Sequence, residues 1–130
     1  MGKIIRNKTY VDADYKVMNS KVNSFIKKIA LEDLKSHSFK FSNGVYMTKI
    51  SFLIDPEDKS EAPTSGKILR SKTYVDADFK VLNSKCNSFT KKIDPLDYVD
   101  TCDDVDNGLY GTQIFYMAEV KPKEETRVAE

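Results

Sequence analysis

The residues with most chemistry to offer in this chain occur twice, 64 positions apart. Lys8, Tyr10, Asn19 and Asn23 return as Lys72, Tyr74, Asn83 and Asn87. Lysine meets a phosphate as a point charge, a tyrosine ring stacks on a base, and asparagine offers one donor and one acceptor group to a base edge. A set presented twice would suit the two ends of a small nucleotide-like ligand, or two sides of one symmetric surface.

Other reactive side chains are few. His37 is the single histidine, and Cys86 and Cys102 are the two thiols. Cys–His catalysis would require the fold to bring them together, and nothing in their spacing foretells that. Asp94, Asp97, Asp100, Asp103, Asp104 and Asp106 crowd the second half against Lys35, His37, Lys40 and Lys49 in the first. A calcium loop needs carboxylates at alternate positions, a glycine at the sixth and a glutamate at the twelfth, and DTCDDVDNG lacks that register. The acidic run reads instead as a solvated turn or a docking surface for the basic hairpin. Phosphate loops, HExxH, GxSxG and paired CxxC motifs are all missing. The expectation is a non-enzymatic protein with no catalytic residues, no metal and no cofactor.

The elements that position these residues follow from the repeat. Gly2 to Ile29 and Gly66 to Ile93 are identical at 22 of 28 positions, and the next 25 positions agree at six. Either the front segment was copied recently, or both fronts keep one surface while the later hairpins specialise. Lys3–Val11 is strand-like, and Asp12 is a plausible helix cap. Tyr15, Met18, Val22, Phe25 and Ile29 then fall at the three-four spacing of an amphipathic helix. Pro95 limits the second helix. Asn43-Gly44 and Asn107-Gly108 signal type I′ hairpin turns, and Tyr46, Thr48, Ile50 and Phe52 alternate onto one strand face.

Each copy therefore reads strand–helix–strand–strand. The chain divides into a first β-α-β-β repeat over 1–54, a polar linker over 55–65, a second repeat over 66–120 and a charged tail over 121–130. We expect an α+β fold in which the modules form a pseudo-twofold pair, their helices packed on one face of antiparallel sheet. A module of this size buries a limited core alone, so the copies should share one.

The net charge of +1 weakens the case for a nucleic-acid binder, but it is unevenly spread: +6 over 1–54 and −2 over 66–120. Opposed halves favour copy-to-copy docking. Two thiols, no apolar run of about 20 residues and no leader-like start point to a soluble, reducing, cytoplasmic setting without membrane contact.

The module as a whole, ending in YMTKISFLI or YGTQIFYMAE, resembles the small sporulation Cse-type family of spore-forming bacteria and their phages. That resemblance implies a small non-enzymatic α/β protein. By architecture, the duplicate is similar to phage proteins that sequester nucleotide immune signals. The expected function is binding of a nucleotide-like small ligand; the alternative is a protein-interaction module with a host partner, with self-association open in either case.

Overall fold

The computed structural model describes residues 2–57 and 66–120; most of the expected linker and the whole charged tail lie outside them. Strand β1 (Ile4–Asp12), helix α1 (Tyr15–Ile26), β2 (Leu34–Ser42) and β3 (Val45–Ile54) form the first module. The second repeats them as β4 (Lys67–Asp76), α2 (Phe79–Thr90), β5 (Tyr98–Asp106) and β6 (Leu109–Glu119). Each module is an antiparallel three-stranded sheet, ordered β1-β3-β2 and β4-β6-β5. The α+β class and the tandem β-α-β-β arrangement are as expected.

Local chemistry explains the elements. Asn43 and Asn107 have positive φ, as do Gly44 and Gly108, which gives the hairpin turns the hand that matches strand twist. The helix cap is displaced from its expected place: Asp14, not Asp12, accepts hydrogen bonds from the amides of Lys16 and Val17, and Asp78 does the same in the second module. Asp12 accepts from the Asp14 amide and pairs with Lys21, tying strand end to helix. Those contacts hold the Asp12 carboxyl below the usual carboxylate range, the backbone bond contributing most. Asp76 and Lys85 reproduce the arrangement. Pro95 opens a 3₁₀ turn, Pro95–Asp97, beyond the helix end.

We call the helix-bearing face of each sheet its front and the opposite face its back. In the first module Met18, Val22 and Ile26 of α1 pack onto the front with Phe39, Phe41, Tyr46, Ile50 and Phe52. The back of the second sheet then lies over that same front. Leu69 and Phe115, both on this back, are fully buried in the first module's core cluster.

The modules are consequently stacked head to tail, and the expected pseudo-twofold pair is corrected. A twofold would make α2 touch β1 as α1 touches β4. Instead Ser71 of β4 is buried against α1, while Asn7, its equivalent on β1, is exposed. Two copies joined head to tail share one interior seam and leave two unlike ends.

Candidate functional site: an occupied front and an open one

The seam between modules is polar along α1. The Asn23 carboxamide donates to the Ser71 carbonyl at 3.0 Å and accepts from the Ser71 amide at 2.7 Å. This is the two-bond pattern a neighbouring strand would offer, so a side chain caps the free edge of β4. Asn19 adds a donor to the Ser71 carbonyl and accepts from the hydroxyls of Ser71 and Thr73. Farther along, Gln113 donates to the Thr48 hydroxyl at 2.8 Å, which donates in turn to the Met18 sulfur.

Along β2 and β5 the seam is acidic on one side. Asp104 accepts the Phe41 amide at 2.9 Å and Asp106 accepts the Asn43 amide at 3.2 Å. Asp100 meets Nε2 of His37 at 3.1 Å. Alternate aspartates thus dock the acidic strand onto the basic hairpin, chiefly through backbone amides.

His37 also brings a cysteine into line. Its Nδ1 lies 3.0 Å from Sγ of Cys102, so a Cys102–His37–Asp100 chain exists that sequence spacing did not foretell. Nε2–H donates to the carboxylate, leaving Nδ1 to accept from the thiol. The environment is that of a structural clasp. The imidazole is stacked on Phe115 with centroids 4.2 Å apart, and its side chain is 5% exposed. Burial, then Asp100 and Asp103, push the Cys102 thiol up, opposite to what a thiolate nucleophile requires. Both cysteines are free, and among the described residues no group of three His, Cys, Asp or Glu is placed to hold a metal ion.

Among the described residues, nothing covers the second module's front in this way. Beside α2 lies an open groove of about 980 Å³, lined by Asn83, Cys86, Asn87, Asp103, Val105 and Thr112 among others. Phe79, Tyr98 and Val105 stay exposed there, and the equivalent of Val105, Phe41, is buried.

The repeated residues therefore divide. Asn19 and Asn23 are spent inside the seam, and Asn83 and Asn87 face the open groove. Lys8 sits 5.6 Å from the ring centroid of Tyr10, and Lys72 sits 5.5 Å from that of Tyr74. Each tyrosine also packs on a helix phenylalanine, Phe25 or Phe89, and burial raises its phenol. These Lys–Tyr pairs recur in each module outside the groove. Sequence reasoning missed Asp103, Val105 and Thr112 as groove residues, and Ser71, Gln113 and Phe115 as seam residues. The available signal was difference: Asn7/Ser71, Lys49/Gln113, Ser51/Phe115, Met47/Gly111 and Phe41/Val105 are positions where the copies disagree.

Compared with protein-family models, curated proteins and solved structures, the chain matches none. No helix among the described residues is long and apolar enough to cross a membrane.

Proposed function

We propose that this chain is a non-enzymatic protein-binding module whose working surface is the open front of the second repeat. One observation carries the reading: the same front in the first repeat is occupied by the back face of a protein sheet. A surface built from the same helix, with the same asparagines, is suited to a similar occupant. The groove's own character agrees, since Asp103 and Asp104 line it and Lys80 is the cation there, a poor setting for phosphate. Asp78 already caps the amides at the start of α2 and leaves no free anion cradle at that helix end.

A second reading has its own support. Lys16, Lys27 and Arg70 surround a polar hollow of about 390 Å³ on α1, together with Ser20 and Ser24. None of the three cations forms an ion pair among the described residues. A nucleotide-like anion would bind there, at a place other than the Lys–Tyr pairs.

The discriminating experiment pairs affinity capture, using Asn83→Ala/Asn87→Ala as control, with melting measured against mono-, di- and cyclic nucleotides. The expected result is a protein captured by the parent chain and lost with the control, and melting indifferent to nucleotides. A nucleotide-dependent rise in Tm that Lys16→Ala/Lys27→Ala abolishes would replace this reading with the second. The cytoplasmic setting belongs to the same proposal: its support is two cysteines that stay unpaired.

A further inference from the structure

Among the described residues, the chain presents both halves of its own seam a second time, unpaired, at opposite ends. The front of the second module is the empty counterpart of the occupied front. The back of the first module is the uncovered counterpart of the buried back: Ile5 is 65% exposed where Leu69 is 0% exposed. Val11 and Val45 are likewise exposed on that face, and with Met47 they line an apolar hollow of about 340 Å³.

We infer that the open front receives the back of the first module of another copy of this chain, so that copies join head to tail. The inference rests on the protein-binding reading above and names the partner. Repeating the observed seam by the 64-residue offset gives its contacts. Asn87 would bridge the amide and carbonyl of Asn7, which occupies the register position on edge strand β1 that Ser71 occupies on β4. Asn83 would meet the Thr9 hydroxyl as Asn19 meets Thr73.

Several substitutions between copies compensate one another at this second seam, although the Asp104 contact does not recur, since Lys40 stands at its position and cannot accept an amide. In the first seam Gly111 leaves room for Phe41 and Phe39; a Cβ there would come within 2.7 Å and 2.9 Å of their rings. In the second, Met47 replaces the glycine, and the smaller Val105 and Asp103 replace the rings. Gln113, which reaches Thr48 in the first seam, becomes Lys49, and the equivalent threonine, Thr112, donates to Asp103 at 2.9 Å. A lysine is thus delivered to a carboxylate. The stacked pair His37–Phe115 becomes Thr101 and Ser51, trading ring overlap for two hydroxyls. A smaller and more polar seam would give an association that responds to concentration, unlike the covalently tethered one.

Such contact is heterologous, so it ends only by closing a ring or by running out of copies. Sedimentation velocity of the full chain across a wide concentration range tests it, with two variants. One has a disabled front, Asn83→Ala/Asn87→Ala. The other has a disabled back, Met47→Asp/Lys49→Glu, with Lys49→Glu alone as a milder exposed change should the pair perturb folding. The expected mass of the parent chain rises with concentration, and each variant alone weakens assembly by roughly ten- to a hundredfold. Mixed, the two variants combine one to one and stop, because one intact front meets one intact back. A parent chain that stays monomeric overturns the inference, as does a disabled-front or disabled-back variant that assembles like the parent. Neither outcome touches front-dependent capture of a different protein, so the wider reading fails or survives on its own experiment.

Discussion

The two helix-bearing faces of this molecule share a scaffold and differ in what covers them. On the first, Met18, Val22 and Ile26 are fully buried beneath a neighbouring sheet. On the second, their equivalents Leu82, Cys86 and Thr90 are smaller or more polar and border an open groove. The difference teaches that nearly the same helix can close a seam within the chain or border an open groove, depending on the residues at its inward positions. On the two helix-bearing fronts the larger, apolar residues Val22, Ile26, Phe39 and Phe41 line the tethered seam, and Cys86, Thr90, Asp103 and Val105 stand at the same positions in the open groove.

The strongest test of that contrast removes the largest side chain from the closed seam. Phe115→Ala should cost about 3–5 kcal/mol in urea unfolding, since a fully buried ring leaves a cavity. Ser51→Ala, its equivalent on the uncovered back, should stay within about 0.5 kcal/mol. Equal losses would mean that the two backs are not differently covered.

Overfilling the seam should cost somewhat less. Gly111→Val pushes a branched side chain into Phe39 and Phe41, and about 1–3 kcal/mol should be lost in the same assay. Met47→Val, at the matching position, should leave stability nearly unchanged.

Asn23→Ala strands the Ser71 amide and leaves its carbonyl to Asn19 alone, and a loss of about 1–3 kcal/mol is expected. Asn87→Ala should be close to neutral for the dilute monomer, because Asn87 faces the open groove. This asymmetry between two residues in closely similar local sequence separates tertiary context from helix propensity.

The smallest expected effect is a pH dependence. Burial holds His37 below its ordinary value of 6.5, with Asp100 pulling weakly the other way. The folded state therefore prefers the neutral ring, and its contribution is complete above about pH 6.5 and lost as pH falls through the depressed value. Thermal melting should show a modest decline in Tm from pH 7.5 towards 5, and His37→Gln should flatten it. No flattening would mean that the seam does not desolvate the ring.

Much of the fold was legible because it is local. The helix stripe, the Asn-Gly turns and the alternation of Tyr46, Thr48 and Ile50 all act within a few residues, and each copy corroborated the other. The cap slipped by two residues because Asp12 and Asp14 are chemically interchangeable candidates; only backbone geometry separates a cap from an Asx turn. The seam was not legible from likeness, since Asn19 and Asn83 sit in the same NSK context and have different fates. Likeness between copies suggested a twofold, whereas a head-to-tail arrangement fits the same repeat equally well. The deciding residues were the unlike ones. Asp100, Cys102, Asp104 and Asp106 alternate onto a single strand face, and that face is the one buried against His37 and Phe41.

Residue-resolved amide hydrogen exchange on the dilute full-length chain tests the head-to-tail stack most directly. Ser71 and Asn7 occupy the same register position on edge strands β4 and β1, so pairing within their sheets cannot distinguish them. The stack predicts a slow Ser71 amide, held by Asn23, and a fast Asn7 amide, with Ser71 becoming fast in Asn23→Ala. Similar rates at the two amides, or a Ser71 rate unmoved by that substitution, would contradict it.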